Sequence, residues 1–335
     1  MDTSTHIIMG FGLAGLAYVD PAVGQNPELA AAVMAGTVLG SNAPDFDYAV
    51  RVFKGKGMYT EHHRGLSHSV PAWFIWSFLL TAIILVFSPA LSGQEAMHLF
   101  GWTFAAVLIH VLFDLFNAYG TQAARPFTKK WLSLNFIPLF DPLIVFLNIA
   151  GFALWAAGES PGLIFSVIYT IILVYVIERF FSSRRALAQI RNELRESSVL
   201  TVVPTIRWSV WQFVSETESG FTTGELRSGK VRPVHSFEKT KHGLISAAEK
   251  DQNVRHFLKN SKHVHSIVIP APSGYEVRFF DLRFRTKNHY PYMAVCLLAR
   301  NGTILSSQTG WIHQTGKLHS TLLPGNSSGT AGLDA

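Results

Sequence analysis

Residues 40–69 read GSNAPDFDYAVRVFKGKGMYTEHHRGLSHS, and the rest of the chain is best understood from them. A run of small apolar residues ends at Asn42. Pro44 stops it, because the ring disfavours a helical residue before it. Two carboxylates, Asp45 and Asp47, follow at alternate positions, and after a basic loop come His62, His63, Arg64 and His68. A second apolar run begins at Val70. Carboxylates and imidazoles without thiolates suit zinc, manganese or iron. Their position between two hydrophobic segments makes this stretch the centre of the reading.

Outward from it the chain is unusually apolar for a basic protein. It is 48% hydrophobic and 15% charged, with mean hydropathy +0.24 and net charge +6. A soluble domain carries about 25% charge, so these values point to a membrane protein. The single cysteine, Cys296, excludes an intramolecular disulfide and a thiolate-rich zinc site. Residues 70–90 and 98–118 are long enough to span a bilayer, and further spans are expected at 142–157 and 161–181. The first segment, MDTSTHIIMGFGLAGLAYVD, lacks the basic start of a cleavable signal peptide. Residues 6–19 and 29–43 are apolar but short, and read as short or re-entrant helices packed through Gly10, Gly12, Gly15 and Gly36.

Charge placement orients these segments. Arg51, Lys54, Lys56, Arg64, Arg125, Lys129, Lys130, Arg179, Arg184 and Arg185 fall on one side if each span crosses once. The loops on the other side carry Asp20, Glu28, Glu95 and Glu159. The positive-inside rule makes the basic side cytosolic. The expected organisation is an α-helical polytopic membrane domain over 1–181, a charged helical stalk over 182–200, a small mostly-β cytosolic domain over 201–320 and a disordered tail over 321–335. The strand reading rests on alternating runs such as YEVRFFDLRFR and on the Asn301-Gly302 hairpin signal.

Inside the second long span, His110 and Asp114 are four residues apart and share a helix face. Ionisable groups at membrane depth are costly and usually functional. Taken singly, each candidate has a plain structural explanation: a His–Asp pair that glues helices, turn aspartates, loop histidines, serines capping the next helix. Taken together, the topology lets His6, Asp45, Asp47, His62, His63, His68, His110 and Asp114 converge at one end of the spans, with Asp141 nearby. Such a set suits one or two divalent metals. A metal there polarises an ester or phosphoryl oxygen and activates water. Arg64 could neutralise a phosphate or an oxyanion, and His62 or His63 could act as acid or base.

Four motifs carry a family resemblance: THIIMG, GSNAPDFD, HHRGLSHS and HVLFDLFNAYGT. The chain resembles the YdjM-like family of predicted membrane-bound, metal-dependent hydrolases, and within it the bacillar YfhP subgroup. The motifs cover about the first half. The resemblance implies a bacterial cell membrane location and a polar set of His6, Asp45, Asp47, His68, His110 and Asp114, with His63 and Arg64 beside it. It implies no activity for the β-rich half.

The expected function is therefore a membrane-bound metal-dependent hydrolase. It would act on an ester or phosphoester, in a lipid or lipid-linked substrate, at the cytosolic interface. Zinc is the favoured metal, with manganese or iron as alternatives. The competing expectation is a membrane-tethered regulatory or binding protein, for example a negative regulator of transcription, with a structural or sensory metal site. Arg278, Arg283, Arg285 and Lys287 could then face an acidic partner. No DNA-binding motif is present, so nucleic acid is not the expected partner. Few spans and no inverted repeat argue against a transporter.

Overall fold

The protein was analysed as a computed structural model in which residues 1–48, 64–194, 199–287 and 289–312 are described. The tail expected over 321–335 lies outside the described residues.

Among the described residues of the first half there are seven α-helices: α1 (Thr3–Leu16), α2 (Pro21–Gln25), α3 (Pro27–Gly40), α4 (Val70–Phe87), α5 (Gly93–Phe116), α6 (Pro142–Ala156) and α7 (Pro161–Leu194). Their starts follow from sequence. Asp20, Asn26 and Asp141 cap the amides of α2, α3 and α6, each directly before a proline at the first helical position. Ser92 and Glu95 form a reciprocal capping box on α5.

Helices α4, α5 and α7 are long and apolar enough to cross a membrane. Phe78 and Phe87 of α4 are 71% and 82% exposed, which a lipid environment explains and water would not favour. Helix α6, expected as a span over 142–157, has 15 residues and is shorter than a straight crossing needs. The segment expected as a stalk continues α7 without a break to Leu194.

Close helix approach is set by small residues. A Cβ on Gly40 would lie 2.9 Å from the Thr103 carbonyl, and one on Gly10 would lie 2.9 Å from the Val38 Cα. The missing side chains let α3 press against both α1 and α5. This contact sets the C-terminal end of α3 against α5 at Thr103 and Ala106, one turn before the candidate site at His110 and Asp114.

The second half has two antiparallel four-stranded sheets. The first is β1 (Val199–Pro204), β2 (Val210–Glu216), β3 (Gly220–Arg227) and β4 (Lys230–Glu238), in sequence order. Then come α8 (Gly243–Ala248) and α9 (Gln252–Asn260), and the second sheet, β5 (Val264–Ala271), β6 (Gly274–Asp281), β7 (Tyr292–Ala299) and β8 (Ile304–Trp311). Val277, Phe279, Cys296 and Leu298 bury one face of that sheet against Val254 and Phe257 of α9. The β7–β8 turn places Gly302 at φ +83°, as the Asn-Gly signal requires.

Both sheets are tied to the helices. Trp211 and Phe213 of β2 join the same apolar cluster as Phe136, Phe165 and Ile190. The fully buried Arg179 of α7 donates to the carbonyls of Phe136 (3.1 Å) and Trp208 (2.8 Å) and lies 4.1 Å over the Trp211 ring. From the second sheet, Arg283 donates to the Ala118 carbonyl at 2.7 Å. Tyr119 stacks on Phe284 with centroids 4.4 Å apart.

Candidate metal centre

His110 and Asp114 sit one turn apart near the C-terminal end of α5, both fully buried. The short 3-10 turn Leu66–His68 brings His68 to them. Two tryptophans of α4 hold that turn: Trp73 donates to the His68 carbonyl at 2.8 Å, and Trp76 to the Ser67 carbonyl at 3.2 Å. A further 3-10 segment, Ala43–Tyr48, begins where α3 ends and carries Asp45 to the same point. Ligand-capable atoms of Asp45, His68, His110 and Asp114 all lie within 4.8 Å of one another.

The separations are specific. His68 Nε2 lies 3.3 Å from His110 Nε2 and 3.3 Å from Asp114 Oδ2. His110 Nε2 lies 3.6 Å from Asp114 Oδ2, and Asp45 Oδ1 lies 3.6 Å from both imidazole nitrogens. Two donor atoms bound about 2.0–2.1 Å from a tetrahedral zinc stand roughly 3.3–3.4 Å apart. The four residues therefore fit a divalent cation.

Hydrogen bonding leads to the same conclusion. The Ser41 carbonyl, 2.7 Å from His110 Nδ1, can only accept, so Nδ1 carries the proton and Nε2 presents a lone pair to the centre. His68 has its Nδ1 3.0 Å from Ser67 Oγ. At most one N–H remains on the His68 side to face a histidine nitrogen and two carboxylates. Asp45 Oδ1 is buried with no hydrogen-bond partner. An excess of acceptors over donors at one buried point is costly unless a cation balances it.

Burial lowers the His68 pKa and so favours the neutral, ligand-competent imidazole. Of the four side chains, Asp45 alone is partly open, at 16% exposure.

The other expected residues are placed as follows. His6 is buried beside the centre, its ring stacked on His110 at 3.9 Å and its Nε2 3.3 Å from Asp114 Oδ1. The Met1 amino group contacts the same carboxylate oxygen. His6 thus meets the face of Asp114 turned from the four-atom cluster. Arg64 is buried, with its Nε 3.1 Å from Asp114 Oδ2, and it donates to Asn117 Oδ1 (3.3 Å) and the Met1 carbonyl (3.2 Å). It holds Asp114 in place. Its φ of +63° is a strained conformation for a side-chain-bearing residue, steadied by the 2.9 Å bond from the Gln122 amide to its carbonyl. His62, His63 and the Asp47 side chain lie outside the described residues. Asp141 caps α6 and accepts from Tyr175 at 2.6 Å, away from the cluster.

Three supporting residues are absent from the sequence reading. Ser41 fixes His110, Asn117 links Arg64 to the amides of Tyr119 and Gly120, and Tyr119 carries Arg64 over its ring at 5.5 Å. Asn117 had a usable signal, since it follows Asp114 by three positions on the same helical face.

The family model described as "YdjM inner membrane protein" matches residues 1–185, which contain all four ligand candidates. The model described as "YfhP C-terminal alpha/beta plait domain" matches residues 243–322. A protein of Bacillus subtilis (strain 168) described as "Uncharacterized protein YfhP" is 39% identical over 330 residues, which covers 97% of this chain and 100% of that one. No solved structure matches.

Proposed function

The chain belongs to the YdjM inner membrane protein family, and from that premise we propose that it is a membrane hydrolase whose divalent cation is held by Asp45, His68, His110 and Asp114. Its substrate would be an ester or phosphoester, lipid or lipid-linked, reached at the end of the spans beside the C-terminal domain. The observation that carries the reading is the 3.3–3.6 Å spacing of four donor atoms with too few protons among them. Zinc, manganese or iron bound there would polarise the scissile group and bring the ionisation of water near neutral pH.

The chain's own residues do the rest. Ser41 orients the His110 ring, and Arg64 with Asn117 fixes Asp114. The Arg64 guanidinium offsets part of the negative charge of two adjacent carboxylates. His62 and His63, which directly precede Arg64 in the sequence, are assigned the proton transfers. The basic residues Arg125, Lys129, Lys130, Arg184 and Arg185 support a cytosolic location for this face.

The test is elemental analysis of the full-length protein, purified in detergent without chelators, followed by turnover assays on phospho- and carboxyl-ester lipids. Stoichiometric metal, lost in the His110→Ala/Asp114→Ala variant, together with metal-dependent turnover supports the proposal. Failure to take up zinc, manganese or iron, or folded metal-loaded protein inert on every ester class, refutes it.

One contact favours a second reading, in which the centre is sensory. Tyr119, next to Arg64, packs on Phe284, Tyr292 and Trp311 of the β half. A metal-dependent change in emission that disappears in Trp311→Phe, with no hydrolysis, would select that reading.

A further inference from the structure

The second sheet has a face that the metal chemistry does not use. His265 pairs with Phe280 across β5 and β6, and Ile267 pairs with Arg278. These four side chains therefore lie on the face opposite Val277 and Phe279, which meet α9. With His235 and Phe237 of β4 they line a cavity of about 460 Å³ between the two sheets. Its size is that of a small-molecule site.

The polar groups of this cavity are only partly paired. His265 is only 8% exposed, its ring 4.6 Å from Phe237 and 6.5 Å from Phe280, and its nitrogens make no hydrogen bond among the described residues. Burial lowers its pKa, which favours the neutral ring with one donor and one acceptor. Arg278 engages Glu276 through Nε, which leaves its terminal nitrogens without a hydrogen bond among the described residues. His235 Nδ1 is fixed 2.9 Å from the Tyr290 hydroxyl, itself 2.7 Å from Thr223 Oγ1. The remaining polar lining is His289, and no carboxylate lines the cavity among the described residues. Its walls are thus flat aromatic rings with imidazoles and a guanidinium. A few imidazole and guanidinium groups with hydrogen-bonding capacity to spare, set among apolar walls, are the kind of polar groups that orient a small ligand.

We propose that this cavity binds a small planar aromatic anion: a ring or base carrying a carboxylate or phosphate, of mononucleotide size or less. The ring lies among Phe237, His265 and Phe280, and the acid group meets the free end of Arg278. This site is separate from the metal centre and does not depend on hydrolysis.

The test uses the full-length protein in nanodiscs of zwitterionic lipid. Fluorine NMR line broadening is measured for para-trifluoromethylbenzoate and for its cationic analogue para-trifluoromethylbenzylammonium, each at millimolar concentration, with empty discs as the partition control. Saturable broadening of the benzoate alone is the expected result. His265→Phe keeps the ring packing and removes the nitrogens, and Arg278→Gln removes the charge. Each should weaken binding by about tenfold or more, the effect of one lost hydrogen bond to a charged group. Ile267→Trp fills the cavity and should abolish binding. No saturable benzoate binding, equal broadening by the ammonium analogue, or wild-type binding in Ile267→Trp would each overturn the proposal. Folding of each variant is checked by its thermal transition, and a variant that fails it leaves the decision to the other two.

Discussion

Asp114 in the helical half and Asp281 in the second sheet are both fully buried, and both meet an arginine. Their surroundings differ in the balance of donors and acceptors. The Asp281 oxygens receive Arg283 Nε at 3.0 Å and Nη2 at 2.6 Å, together with the amides of Lys262 and Arg283. Arg283 passes its other amino group to the Ala118 carbonyl. Every strong donor there has its acceptor, so the pair is complete in itself. Asp114 also has donors, the Met1 amino group and Asn117 Nδ2 at Oδ1 and Arg64 Nε at Oδ2, but its Oδ2 further faces the Nε2 atoms of His68 and His110 and a second carboxylate, and Asp45 Oδ1 has no donor. Burial of an acid does not by itself identify a site. An unmatched set of acceptors around one point does.

Breaking the complete pair should have the largest effect. Asp281→Ala leaves Arg283 charged and buried, a loss of about 3–5 kcal/mol. Denaturant titration in mild detergent, followed by Trp311 emission, should show this loss equally with and without added zinc. Pairing it with Arg283→Met should restore much of the stability, because a buried ion pair can be replaced by apolar packing. A zinc-dependent loss would mean that Asp281 belongs to the metal chemistry, and the contrast would fail.

The matching change in the other region is His110→Ala. It should weaken metal binding by more than about 100-fold, beyond the range expected for loss of a merely supporting residue. The chelated variant should lose less stability than Asp281→Ala. Calorimetric titration of the apo protein with zinc measures the first quantity, and denaturant unfolding under chelator the second. Metal affinity within tenfold of wild type would make the His/Asp set helix glue.

Much of the centre was legible because helical geometry is local. The i, i+4 spacing of His110 and Asp114 fixes their shared face once the span is recognised, and Pro44 marks where α3 must give way to the turn carrying Asp45. Arg64 was placed near the site by sequence, but its pairing with Asp114 depends on a left-handed backbone that no pattern announces. Ser41 could not be found, since its contribution is a carbonyl positioned by the α3–α5 contact. In the second half, alternation identified strands but not which strands pair, so the division into two sheets and the cavity between them stayed hidden. Helix α9 did carry a signal: Asp251 at the cap followed by Val254, Phe257 and Leu258 on one face.

The α3–α5 contact can be tested directly. A methyl on Gly40 would meet the Thr103 carbonyl at 2.9 Å and the Ala106 Cβ at 3.3 Å. Gly40→Ala should cost about 1–3 kcal/mol through overpacking. By displacing the Ser41 carbonyl from His110 it should also weaken zinc binding about tenfold. Gly101→Ala, inside α5 with open space around it, should leave zinc binding unchanged and raise stability by about 0.5–1 kcal/mol. Weakened binding in both variants would place the effect in helix propensity and not in the delivery of Ser41.

The smallest expected effect concerns Cys296, and it tests the other side of the contrast. Its side chain is fully buried on β7, in the same apolar cluster as Val254 and Phe257. Burial pushes the thiol up to about 12, so at pH 8 almost no thiolate is present to react. A thiol reagent added to the folded protein at that pH should give no labelling over the time in which the unfolded chain reacts fully, and bound zinc should not change the result. Labelling that rises with denaturant in step with global unfolding is the behaviour of a sheet that opens only when the whole domain does. Labelling well below the unfolding transition would instead show the second sheet parting from α9 by itself. The β half would then be the looser region, and its complete ion pair would no longer explain why it stays closed while the centre around Asp114 is open to a ligand.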